Sequence, residues 1–215
     1  MEAGLMFADR IDAADKLASA LTQYKNRHAL VLGIPRGGVP MACRIAEQLA
    51  AEVDVVLVRK LPAPGNPEYA IGSVDETGWL YLNPDAGMSG TDGTLIEAEK
   101  ARQLDIIMAR RKLFTAHRAS IDPAKRVVIV VDDGLATGST MIAALHSLRA
   151  RGVERLICAV PVAPPETLER VRPYCDEVVC LEIPRSFYAV GQFYRDFPQV
   201  SDEEVVRLLS PQSAG

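Results

Sequence analysis

The stretch RVVIVVDDGLATGST, residues 126–140, decides the fold. Val127, Val128, Ile129, Val130 and Val131 form an apolar, β-branched run with neither helical period nor alternation. Such a run fits a strand buried on both faces of a parallel sheet. It stops at Asp132 and Asp133, which therefore stand at the carboxyl edge of the sheet, where open α/β folds bind ligands. Residues 134–140 form the turn into the next helix. Gly134 and Gly138 let the backbone approach a ligand closely, and Thr137, Ser139 and Thr140 bring hydroxyls beside the free N–H groups of a helix start. A turn of this kind suits a phosphate, because amides and helix dipole both favour an anion. The two acids fit beside it if a sugar lies between them, since adjacent carboxylates accept hydrogen bonds from vicinal hydroxyls and hold water or a magnesium ion near a polyphosphate. A buried strand followed by an Asp-Gly turn and a Ser/Thr cap is the plainer alternative.

Working outward, a helix over about 139–151 places Ile142, Leu145 and Leu148 inward and stops at Gly152. Apolar strands are expected over 153–163 and 177–184, with a helix over 166–171 between them. Upstream, residues 28–34 and 54–60 read as strands. Residues 11–24 make an amphipathic helix with Ile11, Ala14, Leu17, Ala18 and Leu21 inward, and a second helix covers about 41–51. Strands alternating with helices predict an α/β, doubly wound, mainly parallel sheet. At 215 residues and 48% hydrophobic, one domain suffices. Its core is about 1–60 and 120–184, with an insertion over 61–119 and a small C-terminal cap over 185–215.

A net charge of −4 argues against a general nucleic-acid binder, so no nucleic-acid partner is expected. No apolar run approaches membrane-spanning length, and the first residues lack a signal peptide's basic start and apolar core. Cys43, Cys158, Cys175 and Cys180 show no metal-site spacing; Cys43, Cys158 and Cys180 sit in apolar segments as buried thiols do. A reduced, cytoplasmic protein without membrane partners is the expectation, and a homodimer is compatible with it.

Two further segments should reach the same sheet edge. In GIPRGGVP, residues 33–40, Arg36 offers a fixed cation and planar donors while Gly37 and Gly38 keep the backbone clear, a combination suited to pyrophosphate. A Pro/Gly turn with a solvated arginine is the alternative. Arg59 and Lys60 end the 54–60 strand, where adjacent cations are costly unless an anion offsets them; ordinary solvation of a strand end is equally consistent. Residues 61–72, LPAPGNPEYAIG, carry three prolines and read as neither helix nor central strand. Residues 73–83 should form a hairpin turning at Glu76, Thr77 and Gly78, with Trp79, Tyr81 and Leu82 as packing residues. Thr91 or Asp92 caps a long helix to about 119, with Ile106, Ala109, Leu113 and Ala116 inward and Arg110, Arg111 and Lys112 on a solvated face.

Taken together, four apolar residues, two acids, three variable residues and Thr-Gly-x-Thr resemble the signature of the type I phosphoribosyltransferases. That resemblance implies binding of phosphoribosyl pyrophosphate (PRPP), with Mg2+ as cofactor and a nitrogenous base as the second substrate. It implies that Asp132 and Asp133 take the ribose hydroxyls and magnesium, directly or through water. Ala136, Thr137, Gly138, Ser139 and Thr140 would then hold the 5′-phosphate. Arg36, Gly37, Gly38 and Lys60 would hold pyrophosphate, and Arg36, Arg59, Lys60, Asp132 and Asp133 would form the catalytic set. It further makes 61–72 a lid, with Glu68 and Tyr69 near substrate, and 185–215 a base-binding hood in which Phe187, Tyr188, Phe193 or Tyr194 could stack on a ring; a small satellite core is the plainer reading of those aromatics.

Ala136 departs from enzymes acting on 6-oxopurines, which usually carry aspartate there. The loop looks closer to the adenine and uracil enzymes, and the nearest overall resemblance is to a subgroup whose acceptor is unsettled. Two other classes stay open. One is a PRPP- or nucleotide-sensing regulator without turnover. The other is an unrelated doubly wound module, against which stand the late position of the acid pair and the lack of a Walker lysine or a Gly-x-Gly-x-x-Gly turn.

Overall fold

Alternation along the central strands divides the interior into two layers. The computed structural model describes residues 6–63, 66–83, 93–115 and 120–210, the side chains of 66–69 excepted. In chain order the elements are α1 (Arg10–Ala20), β1 (Leu30–Gly33), α2 (Gly38–Leu49), β2 (Glu52–Val55), β3 (Val58–Ala63), β4 (Asn66–Asp75), β5 (Leu80–Leu82), α3 (Gly93–Phe114), β6 (Val127–Val131), α4 (Ser139–Arg149), β7 (Arg155–Val162), α5 (Pro165–Val171), β8 (Glu177–Glu182) and α6 (Asp202–Leu209). Five strands form a parallel sheet in the order β2-β1-β6-β7-β8. Val128 and Val130 of β6 turn toward Met141, Ile142 and Leu145 of α4, while Ile129 and Val131 face Leu17 of α1 and Ile45 of α2. Helices thus cover both faces, as the continuous apolar strands require.

The 54–60 segment is not one strand. β2 leaves the main sheet at Val55, and after Val56 and Leu57, both buried, the chain enters β3 of a separate antiparallel sheet ordered β3-β4-β5. The run Val55, Val56, Leu57, Val58 has no turn residue, so nothing local marks the change of sheet. Arg59 and Lys60 therefore open a strand of the small sheet and do not close one of the large sheet.

The proline-rich 61–72 segment is a ribbon. Its described residues pair antiparallel as β3 and β4, with register shifts around Pro62. The proline rule is still obeyed. β5 pairs only with Gly72, Ser73 and Val74, so Pro67 lies where β4 has one neighbour and Pro62 lies at an irregularity. Residues 64 and 65 and the side chains of Glu68 and Tyr69 lie outside the described residues. The 73–83 hairpin forms with the expected turn, and Asp75 Oδ1 accepts from Thr77 N, Thr77 Oγ1 and Trp79 N.

One helix face is corrected, and another at one residue. In α3 the buried residues are Ile96, Gln103, Ile107 and Phe114; Ala109 and Leu113 are exposed, Ile106 is half-buried, and Thr91, Asp92 and Ala116 lie outside the described residues. In α1, Ala14, Leu17 and Ala18, with Leu21 just after, are buried as expected, Ala13 joins them, and only Ile11, at 43% exposed, departs. The apolar stripe of α3 is weak, so a one-residue error of phase there costs little in sequence. Cys158 is buried as expected, whereas Cys43 and Cys180 are half-buried, and no disulfide links the four cysteines.

Candidate active site

Of the residues singled out from sequence, Arg36, Gly37, Arg59, Lys60, Asp132, Asp133, Ala136, Thr137, Gly138 and Thr140 gather at the carboxyl edge of β1 and β6. β6 delivers Asp132 and Asp133, and its pleat carries on through them. Asp133 turns toward α1, where Arg10 donates to its Oδ2 from Nε at 2.9 Å and from Nη2 at 2.8 Å. Asp132 Oδ1 accepts the Asp133 amide at 2.9 Å. Asp132 Oδ2 and Asp133 Oδ1 make no hydrogen bond among the described residues.

Gly37 and Gly38 are required for close approach. A Cβ on Gly37 would lie 1.9 Å from Asp133 Oδ2, and one on Gly38 would lie 2.4 Å from the carbonyl oxygen of Val131. The Pro35–Arg36 peptide beside them is cis. After the acids, Gly138 caps α4 at φ 77°, a left-handed conformation that suits glycine, and packs against Thr167 and Val171. Thr167 Oγ1 donates to the Ala136 carbonyl at 2.6 Å and pins the turn from behind.

Two adjoining basins result. One, of about 360 Å3, is lined by Arg36, Gly37, Arg59, Lys60 and Arg110 together with Asp132, Asp133 and Thr140. The other, of about 220 Å3, is lined by Lys60, Asp132, Asp133, the turn 134–138, Thr140, Met141 and Val190. Lys60, both acids and Thr140 border both. Cations gather at one end, backbone amides at the other, and the carboxylates stand at the seam.

Burial first, and then repulsion from Asp133, lifts the Asp132 carboxyl well above its ordinary 3.8. Burial also lifts Asp133, against the pull of Arg10. In the window between the ordinary value and the raised one, folded Asp132 keeps a proton that the unfolded chain has lost, so stability falls as pH rises through it. Asp132→Asn removes that penalty. Thermal melts should show the variant more stable than the wild type at pH 8 and little different near pH 4; equal gains at both would mean that ionisation of Asp132 is not the source. Across the basin, burial holds the Arg59 guanidinium below its usual value, and repulsion from Arg110 and Arg102 adds to this.

Three sequence expectations change here. Ser139 is 3% exposed and lines neither basin. Its hydroxyl donates to Asn83 Oδ1 and meets Thr137 Oγ1 at 2.9 Å, while Ser73 Oγ donates to its carbonyl at 2.6 Å. The hairpin thereby braces the turn through Ser139. Tyr194 is 6% exposed, packed between Phe7 and Phe197, with its hydroxyl donating to the Asp133 carbonyl at 2.7 Å. It supports the acid and offers no open ring face. Arg110 and Arg111 are not a solvated face: Arg110 lines the cation basin, and Arg111 holds Glu76 and the Val55 carbonyl. Phe187 stacks on Phe193, and Tyr188 is 88% exposed; none of the three lines either basin.

Sequence reasoning marked Arg10 only as a residue that could dock the N-terminus and Arg110 only as part of a solvated face, and missed the place of both at the site. Arg10 acts across 123 positions, and nothing near it in sequence signals its partner. Arg110 does have a signal: it lies three residues after Ile107 and four before Phe114, on the buried face once the helix phase is right.

The pair Asp132 Oδ2 and Asp133 Oδ1 suits a magnesium ion of the kind bound by one or two carboxylates with substrate phosphates and water. No group of three or more His, Cys, Asp or Glu residues able to hold a metal by themselves occurs among the described residues. None of the described helices is long and apolar enough to cross a membrane.

A family model described as a phosphoribosyl transferase domain matches residues 7–198. A protein of Mycobacterium tuberculosis, provisionally named a phosphoribosyl transferase in strains CDC 1551 and H37Rv, is 44% identical over 206 residues, 95% of this chain and 46% of its own. The chain thus spans about half the length of the curated relatives it matches. The crystal structure of TT1426 from Thermus thermophilus superposes with a TM-score of 0.80 at 45% identity, covering 95% of this chain and 97% of that one. A hypoxanthine phosphoribosyltransferase from Staphylococcus aureus is similar in fold, with a TM-score of 0.50 at 16% identity over 87% of this chain and 80% of that one.

Proposed function

The chain belongs to the phosphoribosyl transferase domain family, and from that premise we propose that it transfers the 5-phosphoribosyl group of PRPP to a nitrogenous base or related acceptor. Pyrophosphate is the other product. The observation that carries this reading is the pair of adjoining basins, one edged by amides and one by cations, with Asp132 and Asp133 between them. PRPP has the same sequence of parts: a phosphate, a pentose with vicinal hydroxyls, and a pyrophosphate.

On this reading the amides of residues 136–140 and the hydroxyls of Thr137 and Thr140 receive the 5′-phosphate, with Ser139 contributing through its backbone and its brace to Asn83. Asp132 and Asp133 accept the ribose hydroxyls through the oxygens that Arg10 and the Asp133 amide leave open. Arg36, Arg59 and Lys60 meet the pyrophosphate above Gly37 and Gly38.

In the reaction the bond from ribose carbon 1 to the pyrophosphate oxygen breaks, and its electron pair leaves with pyrophosphate. The lone pair of the acceptor nitrogen forms the new bond, and a proton on that nitrogen passes to solvent. Carbon 1 gains positive character on the way, beside the carboxylates, while charge grows on the leaving group beside the cations. Side chains hold the two reactants in line and oppose charge, and no covalent intermediate with the protein is needed. Magnesium, when bound, neutralises part of the pyrophosphate charge.

The test is a panel of purine and pyrimidine bases and amines supplied with PRPP and magnesium, with pyrophosphate release followed. Turnover with at least one acceptor is expected. Tight PRPP binding without turnover on any acceptor would instead make the chain a PRPP-sensing regulator, and absence of PRPP binding would remove the phosphoribosyl reading altogether.

A further inference from the structure

We infer that Asp202 is an intramolecular counter-anion that competes with substrate pyrophosphate for Arg36 and Arg110, and that Arg110 is a further pyrophosphate ligand. This rests on the phosphoribosyl-transfer reading above and adds to it a residue that regulates affinity.

Asp202 opens α6, whose position is set by Ser201 Oγ accepting the Glu204 amide at 3.1 Å. Its Oδ1 lies 3.9 Å from Arg36 Nη1 and its Oδ2 lies 3.7 Å from Arg110 Nη2. Both distances fit an ion pair and exceed a hydrogen bond. Oδ1 is also buried, with no hydrogen-bond partner among the described residues. The carboxylate therefore balances charge between two guanidiniums whose donors, among the described residues, it does not fill with hydrogen bonds. Phosphate oxygens would accept those donors at full hydrogen-bond strength, in the fork geometry that arginine favours.

The basin that Arg36 and Arg110 line adds to the demand for an anion. Arg59 gives its Nε to Gln103 at 2.6 Å and is repelled by Arg110, and Lys60 borders the same space. Asp202, which lines neither basin, offsets the charge of the unliganded cluster, and its pull on Arg36 and Arg110 is what pyrophosphate must outcompete. Its cost appears as weakened binding at the pyrophosphate end alone.

The experiment is calorimetric titration of inorganic pyrophosphate and, separately, of ribose 5-phosphate. It uses the wild type, Asp202→Asn, Arg110→Gln and the double variant, with melting curves confirming folding and Asp202→Ser as a second variant. Asp202→Asn should tighten pyrophosphate by roughly two- to fivefold, as expected for a partly exposed pair, and leave ribose 5-phosphate unchanged. Arg110→Gln should weaken pyrophosphate by about tenfold, the scale of a lost charge-assisted bond. In that background Asp202→Asn should gain at most about half as much, the coupling that a shared partner produces. Unchanged or weaker pyrophosphate binding in Asp202→Asn overturns the inference, because the carboxylate would then be idle or a support for the arginines. A wild type that binds ribose 5-phosphate and pyrophosphate while Asp202→Asn matches it defeats this inference alone. One that binds neither defeats the phosphoribosyl reading and the inference with it.

Discussion

Arg10→Met is expected to destabilise the protein by about 3 kcal/mol at pH 8, the lower end of what removing one partner of a buried ion pair costs. The side chains of Arg10 and Asp133 are 10% and 16% exposed, so little water is available to replace the lost guanidinium. Arg10 also donates to the Pro198 carbonyl at 2.6 Å and lies 3.8 Å from the centroid of the Phe197 ring, so the C-terminal cap loses an anchor as well. The pH dependence identifies the source. Arg10 is what opposes the upward pull of burial on the Asp133 carboxyl. Without it the folded state holds that proton to higher pH, and the deficit relative to wild type grows as pH rises from acid through neutral. Urea denaturation at pH 5 and pH 8 measures both, and Asp133→Asn added to Arg10→Met should restore part of the loss at pH 8. A deficit below about 1 kcal/mol, the scale of an exposed pair, or one independent of pH, would show that the pair is not the brace described.

Gly37→Ala should lower kcat/KM for PRPP by at least about 100-fold, or about 2.7 kcal/mol of transition-state stabilisation. The backbone is not the reason, since Gly37 has φ −62° and ψ −31°, which alanine adopts without strain. The new methyl would lie 1.9 Å from Asp133 Oδ2 and 2.6 Å from its Cγ. Asp133 cannot swing aside cheaply, because two Arg10 donors hold that same oxygen. Either the carboxylate or the 35–38 turn must move, and each borders the seam between the basins. The stability loss should be smaller in its consequences, about 1–3 kcal/mol as for an overpacked site. Steady-state kinetics with the acceptor found in the panel, alongside a melt, separates the two effects. A kcat/KM within about threefold of wild type would mean that the close approach of turn and acid is irrelevant to turnover.

How much of this was legible follows the range of the physical signal. β6, the acid pair and the turn into α4 were readable because each depends on neighbours in sequence: a β-branched run, an abrupt change to charge, glycines and hydroxyls at a helix start. The order of strand and helix from Arg155 to Glu182 followed from the same local pattern. The passage from β2 to β3 was not readable, because Val56 and Leu57 are apolar on both sides of the change. Nor was the role of Tyr194, since an aromatic that packs on Phe7 and bonds a distant carbonyl has the same letters around it as one left open for a ring. Ser139 shows the limit within the motif itself. Its place in the loop was right, and only the hairpin carrying Asn83 determines which way its hydroxyl points.

The corner at Val56 and Leu57 has a mechanical consequence. The carboxylates belong to the large sheet, whereas Arg59 and Lys60 ride on the small one, and two residues are the direct backbone joint between them. The small sheet is tied to the large one a second time, through Ser73 and Asn83 at Ser139, so the distance from the carboxylates to the cations is set by two joints and not by the backbone corner alone.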